Sequence, residues 1–179
     1  PYKPLNPYAA TKAASDHLIN SYVNTYNLKV IITNCCNNFG PRQNPEKFIP
    51  KIISCIFKKR KIPVYGKGVN SREWIYVEDH CEALYKIFQK GKIGSTYNIG
   101  SDVNLTNLQV SKQILNVVKK FVSIGLKTKI VFVKDRPGHD KRYALNSKKI
   151  KKEIGWKTKT NFKSGIKKTV EWYFQNKNY

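Results

Sequence analysis

Short runs of β-branched and aromatic residues alternate along this chain with stretches of helical character, and no other feature narrows its fold as much. Residues 30–33, 62–65, 72–76, 96–99 and 130–133 each read as a short strand. Helical patterns are predicted over 7–26, 48–59, 77–90 and 107–121, with two shorter helices over 147–154 and 162–174. Asn6 is placed to cap the first helix and Pro7 to open it, while Leu18, Tyr22 and Tyr26 form a buried face at helical spacing. Glu78 and Asp79 suit the first turn of 77–90, where carboxylates meet the positive end of the helix dipole. Asn107 is placed to cap 107–121, whose Leu108, Ile114, Leu115 and Val118 make one buried side. Strands and helices in this order give a mixed α/β fold. The stretch 34–45, rich in Asn, Gly and Pro, reads as a loop at the C-terminal end of a strand, where open α/β sheets bind ligands.

A chain of 179 residues is long enough for one sizeable core with room for a small second lobe. It opens at Pro1, contains no Met and reaches a helix bearing reactive groups already at Tyr8, so it is expected to be the C-terminal part of something longer. Apolar runs such as Ile52-Ile53 fall far short of the roughly 20 residues that span a bilayer, and no leader pattern opens the sequence. A cytoplasmic location with no membrane partner is the expectation. Cys35, Cys36, Cys55 and Cys81 lack C-x-x-C spacing and sit in apolar or mixed segments, which reads as buried free thiols and not metal ligands. Trp156, Trp172 and Phe174 read as core anchors.

The net charge of +23 raises nucleic acid as a partner. Of the 34 basic residues, however, only Arg42, Arg60, Arg72, Arg136 and Arg142 are arginines, and bidentate phosphate recognition favours Arg. Lys, Asn and Ile are abundant together, so clusters such as Lys58-Lys59-Arg60-Lys61 read as solvated faces, and no nucleic-acid partner is expected.

Tyr8-Ala9-Ala10-Thr11-Lys12 places a phenol and an ammonium four positions apart on one helix face. A nearby cation favours the phenolate of a tyrosine that ordinarily titrates near ~10, which suits it to remove a proton from an alcohol. Alone, this spacing is a weak signal. An ordered series follows it: Asn34-Cys35-Cys36-Asn37-Asn38-Phe39-Gly40-Pro41, Pro45-Glu46-Lys47-Phe48-Ile49-Pro50, Arg72-Glu73-Trp74-Ile75-Tyr76-Val77-Glu78-Asp79-His80, Tyr97-Asn98-Ile99-Gly100 and Asp135-Arg136-Pro137-Gly138-His139-Asp140. With Tyr8 and Lys12 this series resembles the C-terminal half of the extended short-chain dehydrogenase/reductase family. The Asn37-to-Lys47 and Asp135-to-Asp140 pieces resemble its dTDP-glucose dehydratase branch more narrowly.

The resemblance implies an α/β fold made of the C-terminal part of an NAD-binding Rossmann-type fold plus a smaller mixed α/β nucleotide-sugar-binding domain. Residues 1–36 would end the dinucleotide-binding domain and 37–179 would form mainly the sugar-nucleotide domain, with 72–100 returning to the Rossmann sheet. It implies a lyase that oxidises C4 of a dTDP-sugar, removes water across C5 and C6 and returns hydride to C6, with NAD as cofactor. Tyr8 would take the C4 hydroxyl proton, and Lys12 would favour the Tyr8 phenolate and bond the nicotinamide ribose. Asn38 would contact NAD, and Asn37 the sugar nucleotide. Lys47, Phe48, Pro63, Val64 and Tyr65 would lie against the substrate, Tyr65 offering a ring for the base to stack on. Arg72, Arg136 and His139 would serve the pyrophosphate, with Asp135, Pro137 and Gly138 of the same 135–139 run also against the substrate. Asn107 and Tyr143 would be nucleotide-side contacts. His17 and His80 read as packing or surface residues without a ligand role.

The Gly-rich strand-to-helix turn of a dinucleotide site does not occur in this sequence, and Gly66-Lys67-Gly68 has no helix after it. The family's Asp-Glu pair for water elimination would precede Pro1. The chain alone is therefore expected to be catalytically incompetent, and a homodimer is expected of the full-length enzyme. The alternatives are another nucleotide-sugar epimerase or decarboxylase of the extended family, or a non-catalytic binding fragment.

Overall fold

A computed structural model describes residues 3–176 of the chain. Residues 1–2 and 177–179, at the outer ends of the two expected domains, lie outside the described residues. The elements run α1 (Pro7–Tyr26), β1 (Ile32–Cys35), β2 (Asn37–Phe39), α2 (Phe48–Phe57), β3 (Ile62–Tyr65), β4 (Ser71–Tyr76), α3 (Val77–Lys90), β5 (Thr96–Ile99), β6 (Asn104–Thr106), α4 (Asn107–Val118), β7 (Ile130–Val133), β8 (Arg142–Tyr143), α5 (Lys148–Ile154) and α6 (Phe162–Gln175). The mixed α/β expectation holds, with strands paired mostly in parallel.

Three small sheets carry the architecture. β1 pairs with β5 in parallel, β3 with β7 in parallel, and β4 takes β2 in parallel and β6 antiparallel. β8 pairs in parallel with Ser71 and Arg72 of β4, opposite β6, so β8 and β2 follow one another along one edge of β4. Parallel neighbours need long crossovers, and the helices supply them.

β4 is the wall between two cores. Side chains alternate along a strand, so Trp74 and Tyr76 enter one cluster with Phe39, Ile52, Ile53, Ile114, Phe162 and Ile166. Ile75 enters the other, with Tyr97, Ile99, Ala83, Ile87, Ile150 and Trp156. Glu73 also lies inside, 1% exposed. Its carboxylate accepts from the backbone N–H groups of Ser101 (2.6 Å), Asp102 (2.8 Å) and Leu145 (2.7 Å), which is how a buried carboxylate is made tolerable.

Several local expectations are corrected. Leu18, Tyr22 and Tyr26 are exposed, and α1 buries no residue at all, because no described element covers that face. Asn34 and Cys35 belong to β1, and Asn37 to Phe39 form β2 instead of loop. The parallel ladders to β5 and β4 override the low strand preference of Asn. The cap of α4 is Thr106, not Asn107: Thr106 Oγ1 accepts from Gln109 N–H, and Gln109 Oε1 accepts from Thr106 N–H. Cys81 is exposed, since Asp79, Ala83 and Ile87 face inward and Cys81 falls on the other side of α3. The other thiols are free as expected, Cys36 buried and Cys35 and Cys55 half-buried. Trp156 is a core anchor, whereas on α6 the inward stripe ends on Tyr173, leaving Trp172 and Phe174 only partly covered. No helix among the described residues is long and apolar enough to cross a membrane.

Candidate active site

The start of α1 meets the segment between β7 and β8. Asn6 caps α1 by accepting from Ala9 N–H at 2.9 Å, and Pro7 opens the helix without wasting a donor. That turn fixes Tyr8 on the first helical coil, with the Lys12 ammonium 5.6 Å from its ring centroid. Tyr8 is exposed.

Opposite it, the strap 135–140 is tied to β4. Arg72 Nη1 donates to the carbonyls of Asp140 (2.9 Å) and Ser71 (2.8 Å), and Asn70 Nδ2 donates to Asp140 O at 3.1 Å. Ser71 N–H bonds Lys141 O, and Asn104 Nδ2 bonds Tyr143 O. Glu73 holds Leu145 just beyond. Arg72 and Glu73 thus grip the same segment at two points, and the C-terminal end of the strap is held through its backbone.

Between α1 and the strap lies a cleft of about 420 Å³ lined by Asn6, Pro7, Tyr8, Arg72, Arg136, Pro137, Gly138, His139 and Asp140. It joins a phenol to two guanidiniums and an imidazole, a set that suits an alcohol carried on an anion. Burial pulls the Arg72 guanidinium below its ordinary range, with Asp140 acting against that and Arg136 adding to it. A partly desolvated cation gains more from an anionic ligand than a solvated one does.

A second layer supports the strap. Asp135 Oδ1 lies 2.6 Å from His139 Nδ1 and accepts from Arg136 N–H at 2.8 Å. These bonds, His139 first, hold the Asp135 carboxyl below its usual range. Tyr65 lends its ring to both neighbours: the Arg136 guanidinium stands 5.2 Å over it, and the His139 ring meets it edge-on at 6.4 Å. Gly66, in the left-handed region at φ 55°, leaves room for Asp135, because a Cβ there would lie 3.0 Å from Oδ2.

The remaining sequence candidates stand outside this cleft. Asn37 and Asn38 lie on β2; Asn38 Nδ2 reaches Cys35 Sγ at 3.4 Å, and its buried Oδ1 has no hydrogen-bond partner. Tyr143 O–H reaches Cys35 O at 3.4 Å, and burial pushes its phenol up, with Cys35, Cys36, Glu73 and Tyr8 adding to the effect. Lys47 is the exposed N-terminal flank of α2, and Phe48 stacks on Trp74 at 6.1 Å. Pro63 is half-buried and Val64 wholly buried on β3, while Asn107 is buried at the head of α4. Sequence reasoning did not single out Glu73, Asn70 or the carbonyl of Asp140; a charged residue inside an otherwise apolar strand was the available signal for Glu73.

Residues 1–169 match the sequence model of the GDP-mannose 4,6 dehydratase family. The chain is 47% identical over 180 residues to the dTDP-glucose 4,6-dehydratase of Shigella flexneri, covering 99% of this chain and 50% of that protein. It is similar to the crystal structure of dTDP-glucose 4,6-dehydratase from Bacillus anthracis in complex with NAD, at TM-score 0.91 and 40% identity, over 100% of this chain and 55% of that one. It is also similar to DesIV, a dTDP-glucose 4,6-dehydratase from Streptomyces venezuelae with NAD and TYD bound, at TM-score 0.92 and 39% identity, over 99% of this chain and 54% of that one. The chain spans about half the length of the curated relatives it matches.

Proposed function

We propose, from the premise that the chain belongs to the GDP-mannose 4,6 dehydratase family, that it supplies the sugar-nucleotide half of an NAD-dependent lyase converting dTDP-glucose to dTDP-4-keto-6-deoxyglucose. The observation that carries this reading is the shared cleft of Tyr8 with Arg72, Arg136 and His139. A pyrophosphate held by the two guanidiniums would present the sugar to the phenol at the end of α1.

In this reading Tyr8 takes the proton of the C4 hydroxyl, and Lys12 stabilises the negative charge that develops on its oxygen. Tyr8, Lys12 and Asn38 would hold NAD, whose nicotinamide would supply the reversible hydride acceptor for the chemistry at C4 and C6. The buried, unpartnered Oδ1 of Asn38 fits a donor from that cofactor, since an orphan acceptor gains a full hydrogen bond on binding. Lys12 and Tyr8 complete the cofactor side. Asn37, Lys47, Phe48, Pro63, Val64, Tyr65, Asn107 and Tyr143 would border the sugar and base around the strap 135–139. Val64 can contribute only its backbone, because its side chain is enclosed.

We assign 1–36 to the dinucleotide-binding domain and 37–179 mainly to the nucleotide-sugar domain, with 72–100 joining the former through β5. The homodimer expected from the family would cover the apolar face of α1 at Leu18, Tyr22 and Tyr26, and we place the protein in the cytoplasm with no nucleic-acid partner. Titrating the chain with dTDP, UDP and GDP tests the substrate assignment. Clearly tighter binding of dTDP is expected; equal binding of the three counts against it.

A further inference from the structure

Asp135 and His139 form a pair whose geometry does more than close a turn. The His139 side chain is 5% exposed, whereas that of Asp135 is 41% exposed. His139 lines the cleft and Asp135 does not. One ring nitrogen, Nδ1, is spent on the carboxylate at 2.6 Å, and that carboxylate is held in turn by the Arg136 N–H. Tyr65 closes the ring's edge, and the absence of a side chain on Gly66 lets Asp135 seat. Asp135 and, from β3, Tyr65 contact His139, and the titratable and charged groups lining the cleft with it are Arg136 and Asp140 of the strap, Arg72 from β4 and Tyr8 from α1.

An ionised carboxylate accepts and cannot donate. The hydrogen between it and the imidazole therefore belongs to Nδ1. We propose that Asp135 is a positioning residue: by fixing the proton on Nδ1 it makes Nε2 the atom that His139 presents to the cleft. In the imidazolium form both nitrogens donate, and the proton on Nε2 then points at a phosphate oxygen of the ligand. Without Asp135 the ring is free to turn over and to hold its proton on either nitrogen, so the orientation has to be recovered on binding. The arrangement refines the reading of the strap as the pyrophosphate side, and its ligand arm rests on that reading; its tautomer arm does not.

The tautomer is read directly by ¹⁵N imidazole shifts of His139 in the ligand-free chain near about pH 8, above the usual His range. The proposal expects Nδ1 protonated and Nε2 bare. Asp135→Asn, whose carbonyl still accepts, keeps that pattern, and Asp135→Ala moves the proton to Nε2. In titrations with dTDP-glucose, D135A is expected to bind about tenfold more weakly and D135N within about threefold of the parent. A parent chain with the proton on Nε2 overturns the proposal without any variant. So does D135A binding as tightly as the parent, or D135N falling as far as D135A, either of which would make the carboxylate a bystander or a direct contact. A parent that keeps the Nδ1 tautomer but ignores dTDP-glucose removes the nucleotide-sugar reading and leaves the role of Asp135 in orienting His139 standing.

Discussion

A Cβ built on Gly100 would stand 2.5 Å from Oε1 of Glu73, so the glycine that ends β5 and the carboxylate inside β4 are fitted to each other. That oxygen accepts from Ser101 and Asp102, and its twin from Leu145. Gly100→Ala is expected to push the carboxylate off its donors, at about 1–3 kcal/mol for each buried N–H left unpaired. Glu73→Ala strands the same groups. The two changes act on one network, so the double variant should lose clearly less than the sum of the singles in urea unfolding. Additive losses would show that the fit is incidental.

Gly165 sets two effects against each other. Alanine is worth about 0.8–1.0 kcal/mol over glycine in a helix interior, which predicts stabilisation. A Cβ there would lie 2.9 Å from the Phe39 ring and 3.1 Å from the Tyr76 ring, and overpacking a core costs about 1–3 kcal/mol. Packing wins, so Gly165→Ala should lower the unfolding midpoint. Phe39→Ala, which empties the contacts to Phe162, Tyr76 and Trp74, should cost about 3–5 kcal/mol.

His80 gives the chain a pH dependence of known sign. Burial holds its pKa below the ordinary value of 6.5, so the unfolded chain binds more protons as the pH falls through that value. Stability from this residue is complete above about 6.5 and is lost as the pH drops toward the folded pKa. His80→Gln should therefore flatten the unfolding midpoint between about pH 7 and pH 5. An unchanged slope would assign the acid loss to other groups.

The basic surface and the cleft can be separated by mutation. Arg72→Ala removes a half-buried cation and the tie to Asp140, and should weaken dTDP-glucose binding at least about tenfold. Lys58→Ala, on a solvated cluster, should change it less than about twofold. Equal losses would mean that the ligand senses net charge and no particular site.

Much of this was legible in the sequence because the signals were local. The strand runs at β3, β5 and β7 and the helix bounds of α1 and α3 follow from periodicity, Pro7 and turn residues. Tyr8 could be named from its spacing to Lys12, and Arg72, Arg136 and His139 from the resemblance to the extended family, but their meeting in one cleft is a tertiary fact. What did not read was set by partners far along the chain. β2 and β8 are two or three residues long and exist through pairing with β4. Leu18, Tyr22 and Tyr26 of α1 read as a buried face, yet no described element covers that side of the helix. The Thr106–Gln109 capping box was present in the sequence and outranks the Asn107 that follows it.

The central proposal is that Tyr8 would serve as the base in the dehydration of a dTDP-sugar, on a chain that spans about half the length of the curated relatives it matches. It is tested by co-expressing the chain with the N-terminal half of the Shigella flexneri relative and assaying conversion of dTDP-glucose with NAD present. The account predicts a 4-keto-6-deoxy product from the pair, none from the chain alone, and a loss of about 10²-fold or more with Tyr8→Phe. A pair that binds both dTDP-glucose and NAD yet forms no product, or a Tyr8→Phe pair that turns over at the full rate, would contradict it.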